Sequence, residues 1–161
     1  MSEPIVTRHS LAERIPRAGP VADDAASRST DHAETIHVLL AEDNPVNQLV
    51  AVRMLERLNC RTDLANDGVE AVTMGGQFSY DVIFMDVQMP NLDGLEATRR
   101  LRATATGKDV YVVAMTANAM LGDRERCIEA GMDDYLSKPV TPANLRQALE
   151  RRSRRPRSSP P

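Results

Sequence analysis

Along the middle of the chain, short runs of consecutive apolar residues alternate five times with segments of helical spacing, from residue 36 to residue 150. The runs are apolar throughout instead of at every second residue, which is typical of parallel strands covered on both faces. Such an alternation of strand and helix predicts a doubly wound (βα)5 fold. We therefore expect an α/β three-layer sandwich with a parallel five-stranded sheet.

The pattern also predicts where each element lies. The strands are predicted at residues 36–41, 60–65, 81–85, 110–115 and 134–136. The first helix is predicted to begin at Pro45, behind an Asn44 cap, and the others to cover residues 69–74, 95–103, 118–130 and 142–152. Gly75 and Gly76 are interpreted as the end of the second helix.

The residues outside this domain differ from it in composition. Residues 1–35 are rich in Ala, Ser, Arg, Asp and Pro, with no sustained apolar period, and are predicted to form a disordered arm or linker. Residues 151–161 contain five arginines and no acid, among serines and prolines, and are predicted to form a disordered basic tail. The predicted domain therefore covers residues 36–150.

This predicted domain is acidic, with 17 Asp and Glu against 11 Lys and Arg. We expect no direct binding of nucleic acid by it, because phosphate contacts need clustered Lys and Arg. Two cysteines, Cys60 and Cys127, are too few for a disulfide framework or a Cys-based metal site. The longest apolar run has six residues, which predicts neither a signal peptide nor a membrane span and favours a cytoplasmic location.

Polar side chains follow four of the predicted strands at the point where each strand ends. Glu42 and Asp43 follow the first strand, Asp86 the third, Thr116 the fourth and Lys138 the fifth. Because the carboxyl ends of parallel strands lie at one edge of a sheet, we expect these side chains to converge.

Three carboxylates at one edge would repel one another unless a cation were bound between them. Oxygen ligands of this kind suit Mg²⁺, a small hard cation that takes few protein carboxylates. Lys138 and the hydroxyl of Thr116 would then form a cradle for a phosphoryl group. Asp86 could act as the nucleophile and form an aspartyl phosphate.

Each of these residues also has an ordinary structural interpretation. Asp86 could cap the segment that follows it, and Asp43 could be a charge beside a helix. Lys138 could be a solvated turn residue, and Thr116 could satisfy a backbone group. Their joint occurrence at four strand ends favours a site over four unrelated roles.

Residues 38–48, 85–94, 114–119 and 130–139 closely resemble the receiver domains of bacterial two-component response regulators. The resemblance implies a flavodoxin-like strand order, 2-1-3-4-5. It also implies a phosphoacceptor signalling domain instead of an enzyme, which takes a phosphoryl group from a phosphohistidine. Its expected partners are a histidine kinase, a histidine phosphotransfer protein, or both. The sequences at residues 41–48 and 85–90 look like the forms of these motifs in the receivers of hybrid sensor histidine kinases. This resemblance favours a role in a phosphorelay.

The resemblance further implies a role for each site residue. Asp86 would be the phosphoacceptor, and Mg²⁺ would be bound directly by Asp43, Asp86 and the backbone carbonyl of Gln88. Glu42 would bind the ion through water. Lys138 would pair with the phosphoryl oxygens.

A second set of implied roles concerns switching and dephosphorylation. Thr116 would contact the phosphoryl oxygens and couple to Tyr135, whose ring would turn inward on activation. The switched surface would be formed by the fourth helix, the fifth strand and the fifth helix. Gln88 and Asn118 would flank the attacking water and so set the rate of dephosphorylation. The Lys138–Pro139 bond is often cis in such relatives.

Two other functions remain open from the residues. A Mg²⁺-dependent phosphatase with an aspartate nucleophile needs a second acid two positions later, where this chain has Gln88. An interaction module that works without phosphorylation usually lacks one of the site residues, and here all are present. For a relay, Val46, Leu49, Val50 and Pro139 are the predicted apolar contacts for a histidine-bearing helix.

Overall fold

The computed structural model describes residues 35–118 and 121–155 of the chain. Its strands are β1 Ile36–Ala41, β2 Cys60–Ala65, β3 Val82–Asp86, β4 Tyr111–Thr116 and β5 Asp134–Ser137. Its helices are α1 Pro45–Arg57, α2 Gly68–Gln77, α3 Gly94–Arg102, α4 Leu121–Ala130 and α5 Pro142–Arg154. The predicted alternation of strand and helix is confirmed.

All of the neighbouring strands pair in parallel, in the order β2-β1-β3-β4-β5. Strand β3 is central, with Ile83 opposite Leu39 of β1 on one side and Val112 of β4 on the other. Both the predicted parallel sheet and its strand order are therefore confirmed, and the carboxyl ends of the strands share one edge.

Successive strand residues point into two separate cores, as the 2-residue period of a strand requires. Leu39 and Ile83 pack in a core that α2, α3 and α4 cover. Val38, Leu40 and Phe84 pack in a second core, covered by α1 and α5. The predicted three-layer sandwich follows from this division.

Four helices begin immediately after a loop at the carboxyl edge of the sheet, and each has a polar cap. The side chains of Asn44, Asp67, Asp93 and Thr141 accept hydrogen bonds from backbone N–H groups in the first turns of α1, α2, α3 and α5. Such a cap is worth about 1 kcal/mol. Three of these caps therefore also fix loops that contain predicted site residues, namely Glu42, Asp43, Gln88 and Lys138.

The prediction that Gly75 and Gly76 end α2 is wrong. The helix continues through both residues to Gln77, and the N–H of Phe78 closes its last turn on the carbonyl of Met74 at 2.9 Å. Gly75 is buried, and a Cβ built on it would lie 2.5 Å from Cδ2 of Leu101 in α3. Close packing between α2 and α3, and not the end of a helix, accounts for a glycine at position 75.

The predicted start of the tail at residue 151 is also wrong, because α5 continues to Arg154. Arg151 Nε donates a hydrogen bond to Asp134 Oδ2 at 2.6 Å, and the guanidinium of Arg155 lies 5.4 Å from the centre of the Tyr111 ring. Basic residues also suit the carboxyl end of a helix. The remaining predicted tail, residues 156–161, and the predicted arm over residues 1–34 lie outside the described residues.

Smaller differences affect the ends of other elements. Asp86 is the last residue of β3 instead of the first residue after it. Asn118 was expected to begin the fourth helix, but it lies in the loop after β4, and residues 119–120 lie outside the described residues. Over the described ranges, no helix has the length and apolar content needed to cross a membrane.

Replacing Gly94 by alanine should destabilise the fold, because this glycine lies against the end of β3. A Cβ at Gly94 would lie 2.2 Å from the backbone oxygen of Asp86, which cannot move without displacing the strand. We expect Gly94→Ala to lower the free energy of unfolding by about 1–3 kcal/mol, as overpacking usually does. Urea unfolding measures the change.

Gly76→Ala is the matched control for this substitution. A Cβ at Gly76 would make an ordinary contact of 3.5 Å with Thr104 Cγ2. Alanine is also favoured over glycine within a helix by roughly 0.5–1 kcal/mol. Gly76→Ala should therefore leave stability unchanged or raise it, and equal losses in the two variants would contradict the proposed crowding at Gly94.

Candidate functional site

A polar cavity of about 210 Å³ lies at the carboxyl edge of the sheet. Five residues predicted from the strand ends line it together with Gln88, which the resemblance implies: Glu42, Asp43, Asp86, Thr116 and Lys138. Their convergence is what a parallel sheet requires of side chains at the ends of β1, β3, β4 and β5.

A larger cavity, of about 410 Å³, lies at the opposite edge of the sheet, lined by residues that include Tyr80, Asp109 and Arg152. None of the predicted site residues lines it. We take the smaller cavity as the candidate site, because chemistry depends on convergent groups more than on volume.

The three acids of the site form one cluster. Carboxylate oxygens of Glu42, Asp43 and Asp86 lie within 4.8 Å of one another, with Glu42 and Asp86 buried and Asp43 exposed. Oxygens at this spacing, open to solvent on one side, suit a hard divalent cation that keeps some of its waters. The donor set therefore fits Mg²⁺.

Lys138 joins two of these acids. Its Nζ lies 2.9 Å from Asp86 Oδ2 and 3.1 Å from Glu42 Oε2. Its backbone N–H donates to the carbonyl of Thr116 at 2.8 Å, which fixes the loop after β5 to the end of β4. The following peptide bond, Lys138–Pro139, is cis, as the resemblance implies.

The two buried acids and the lysine shift one another's protonation. Burial raises the pKa of Asp86 to about 6; the hydrogen bond from Lys138 opposes this rise and the neighbouring Glu42 adds to it. Burial also acts to raise the pKa of Glu42, but hydrogen bonds with Asp86 and Lys138 outweigh it and lower that pKa. When the pair shares one proton, Asp86 therefore holds it and Glu42 stays ionised.

The pKa of Lys138 moves in the opposite sense to what burial alone would give. Burial favours the neutral amine, but the hydrogen bonds to Asp86 and Glu42 raise its pKa above the ordinary value. Lys138 therefore remains an ammonium group at neutral pH. The three groups together carry a net negative charge once Asp86 ionises, which favours binding of a further cation.

Thr116 is buried at the end of β4, and its hydroxyl forms its hydrogen bonds with the loop and helix that follow. Thr116 Oγ1 lies 3.2 Å from Asp123 Oδ2 and 3.3 Å from the carbonyl of Asn118, and it accepts from the N–H of Asn118 at 3.0 Å. Within the described residues the hydroxyl forms no hydrogen bond with Asp86. Asn118 itself is exposed and is not among the residues that line the cavity.

Tyr135 lies outside the cavity, on β5. Its half-buried ring packs against the core that α2, α3 and α4 cover. The guanidinium carbon of Arg124, from α4, lies 5.6 Å from the ring centre. Tyr135 thus lies on the strand next to β4, which ends in Thr116, but it does not line the cavity.

Sequence reasoning missed one residue that holds the acidic loop in place. Gln48 Nε2, in the first turns of α1, donates to the carbonyl of Glu42 at 2.6 Å and to Asn66 Oδ1 at 2.8 Å. These hydrogen bonds connect the loop after β1 to the loop after β2. The available signal was the spacing of Gln48, four residues after the Asn44 cap on the same side of the helix.

Comparison with known proteins identifies relatives of the described domain. The family of response regulator receiver domains matches residues 38–150. Histidine kinase 5 of Arabidopsis thaliana is 40% identical over 139 residues; the match covers 70% of this chain but only 15% of that protein.

Solved structures give the same result. The receiver domain of sensor histidine kinase PA1611 from Pseudomonas aeruginosa PAO1, which holds a magnesium ion in its active site cleft, is 48% identical, with a TM-score of 0.69 over 73% of this chain and 97% of that one. A chain in the co-crystal structure of the Saccharomyces cerevisiae histidine phosphotransfer protein Ypd1 and the receiver domain of Ssk1 is 32% identical, with a TM-score of 0.64 over 70% of this chain and 85% of that one.

These matches extend over the same residues whose strand ends carry the acidic cluster and Lys138. Both the strand order and the polar carboxyl edge therefore lie within the residues that match the family. The chain therefore belongs to the response regulator receiver domains, the phosphoacceptor domains of two-component signalling.

Proposed function

We propose that Asp86 accepts a phosphoryl group from a phosphohistidine, and that this is the reaction for which the site is arranged. The observation that carries the proposal is the position of Lys138 Nζ, 2.9 Å from Asp86 Oδ2 at the open end of the central strand. An ammonium group there can neutralise phosphoryl oxygens next to the attacking carboxylate. Asp86 is also the one member of the acidic cluster that ends the central strand.

In the proposed step, an oxygen of Asp86 attacks phosphorus and the P–N bond of the phosphohistidine breaks. The electron pair of that bond stays on the imidazole nitrogen, and because the other ring nitrogen carries a proton, the histidine leaves as a neutral imidazole. Lys138 pairs with the phosphoryl oxygens, and the hydroxyl of Thr116 donates a hydrogen bond to one of them. Attack requires the ionised carboxylate, so the protonated form of Asp86 is unreactive.

The same residues are proposed to hold Mg²⁺. Asp43, Asp86 and the backbone carbonyl of Gln88 would be direct ligands, and Glu42 would act through water. When bound, the ion would neutralise charge on the phosphoryl oxygens. The closeness of the three carboxylates and the exposed position of Asp43 support this assignment.

We also propose that the domain catalyses only its own phosphorylation and dephosphorylation, in the cytoplasm. Gln88 is exposed at the rim of the cavity, and Asn118 is exposed beside Thr116. Their amides would orient the water that attacks the phosphoryl group. The two buried cysteines are free thiols, which suits a reducing compartment.

The proposed partner is a histidine phosphotransfer protein, in a relay with a hybrid-type sensor kinase, and no direct contact with nucleic acid is proposed. Val46, Leu49 and Val50 of α1 are 68%, 55% and 44% exposed. Beside them an apolar groove of about 450 Å³ includes Val50 and Pro139 and reaches the site at Lys138. An exposed apolar surface that adjoins a reactive aspartate suits a docked helix carrying the histidine.

Asp86→Asn should abolish phosphorylation. Incubation with acetyl phosphate and Mg²⁺ should convert the unchanged protein to a slower species on a phosphate-affinity gel. Asp109→Asn, which alters an exposed acid at the other edge of the sheet, is the matched control and should be modified like the unchanged protein. A modified species that persists in Asp86→Asn would contradict the assignment.

The raised pKa of Asp86 should make stability depend on pH when divalent cations are removed. Its folded pKa of about 6 exceeds the value of about 3.9 for an unfolded chain, so folding favours the protonated form. The stability that protonated Asp86 contributes to the fold is fully present below pH ~4 and is lost as pH rises through ~6. The free energy of unfolding of the unchanged protein should fall relative to Asp86→Asn by up to about 3 kcal/mol between those values.

Urea unfolding in a chelator, at a series of pH values, measures this difference. Saturating Mg²⁺ should remove most of it, because the cation stabilises the ionised carboxylate. Parallel pH profiles for the unchanged protein and Asp86→Asn would show that folding does not raise the pKa of Asp86.

Leu49→Asp should slow transfer from a purified histidine phosphotransfer protein by at least about tenfold, the effect of losing one well-placed apolar contact. Val69→Asp is the matched control, because Val69 is 48% exposed but lies on α2, at the other face of the sheet. Rapid mixing with the phosphorylated donor measures the rate. Equal slowing by the two variants would exclude α1 as the docking surface.

A further inference from the structure

Two consecutive residues in the first turn of α4 contact the two proposed switch residues. Asp123 Oδ2 lies 3.2 Å from Thr116 Oγ1. The guanidinium carbon of Arg124 lies 5.6 Å from the centre of the Tyr135 ring. Thr116 and Tyr135 belong to the neighbouring strands β4 and β5, so one helical turn contacts both.

The contact of Thr116 with Asp123 determines where the hydroxyl proton goes. A hydroxyl has one proton, and among the described residues its acceptors are the Asp123 carboxylate and the carbonyl of Asn118. The carboxylate is the stronger acceptor because it is charged. Its other oxygen lies 3.8 Å from Arg126, too far for a strong competing pair. The arrangement favours donation from Thr116 to Asp123.

The contact of Arg124 with Tyr135 restricts the tyrosine ring. A guanidinium within about 6 Å of a ring centre is attracted to the face of the ring. The ring is half-buried, with one part packed on the core and another reached by Arg124. Movement of the ring further inward would separate it from the guanidinium.

We propose that Asp123 and Arg124 are positioning residues that hold Thr116 and Tyr135 in the unphosphorylated arrangement; we call this pair the α4 latch. The inference rests on the proposed function of Asp86. Thr116 can donate its one proton to a phosphoryl group on Asp86 only by giving up Asp123. Phosphorylation therefore releases a contact of α4, and the latch opposes the phosphorylated state by the strength of the contacts it loses.

The reciprocal effect makes the latch measurable. Any ligand that takes the hydroxyl of Thr116 competes with Asp123, so removing Asp123 should strengthen the binding of that ligand. Beryllofluoride with Mg²⁺ is a suitable probe, because it occupies the place of a phosphoryl group beside an aspartate without transferring one. Its apparent affinity can be followed by ¹⁹F NMR.

We expect Asp123→Ala to bind beryllofluoride roughly three- to tenfold more tightly, the range for losing one modest competing hydrogen bond. Asp123→Asn, which keeps an uncharged acceptor, should be intermediate. Glu125→Ala is the matched control, since it removes an acid from an exposed position on the same helix and should bind like the unchanged protein. Arg124→Ala should tighten binding by about two- to fivefold, as expected for an exposed cation–π contact.

A double-mutant cycle separates the latch from a general loosening of α4. In a Thr116→Ala background, Asp123→Ala should no longer change the affinity, because the hydroxyl for which it competes is gone. In a Tyr135→Ala background, Arg124→Ala should likewise have no effect. Persistence of either gain without its partner would overturn the latch.

The outcomes also distinguish the latch from the proposed function. If the unchanged protein and Asp86→Asn take up beryllofluoride equally poorly, both proposals fail. If the unchanged protein binds it and Asp123→Ala binds no more tightly, only the latch fails. Should Asp123→Ala unfold at a lower urea concentration than Glu125→Ala, the Asp123→Asn variant provides the comparison, and an affinity equal to that of the unchanged protein counts against the latch.

Discussion

One ammonium group makes it possible to bury two carboxylates at the end of the central strand. Lys138 Nζ lies about equally close to Asp86 and Glu42, and a buried carboxylate without such a partner would cost several kcal/mol. The compensation is incomplete, because one positive charge faces two acids inside and Asp43 outside. A proton on Asp86 or a cation between the acids completes it. The readiness of the site to bind a cation is thus a consequence of how the fold tolerates its own buried charge.

Much of the fold and of the candidate site could be predicted from the sequence, because local composition determines where the strands and helices lie. Consecutive apolar residues indicate strands buried on both faces, which is typical of a parallel sheet, and the strands of a parallel sheet share a carboxyl edge. Once Asp86, Thr116 and Lys138 are known to follow strands, their convergence requires only the topology. The cap of α1 was equally visible, since Asn44 and Pro45 act within a few residues of their own positions.

Most of the features that sequence reasoning missed depend on contacts between segments that are separated in the sequence. Position 75 holds a glycine because Leu101 occupies the space that a side chain there would need. Helix α5 continues past its predicted end at residue 152 to Arg154, next to the ion pair of Arg155 with Asp133. Gln48 of α1 donates a hydrogen bond to Asn66, which lies 18 residues further along the chain. The family motifs imply contacts of Thr116 with a phosphoryl group. They do not indicate that, without one, the hydroxyl is directed toward Asp123 of α4.

The division of the sheet into two cores has a consequence for how such a protein can change. Phe84 and Val113 face the core beneath α1, whereas Ile83 and Val112 face the core beneath α4. The sheet therefore separates α1, the helix proposed to recognise a partner, from α4, the helix of the proposed latch, whereas α5 shares the core beneath α1. The two faces meet at the carboxyl edge, where the acids and Lys138 lie, and also at the opposite edge, where Asp133 pairs with Arg102 and Arg155. Substitutions on the exposed side of α1 can accordingly change partner choice without repacking the core beneath α4, a separation that follows from the 2-residue period of a strand.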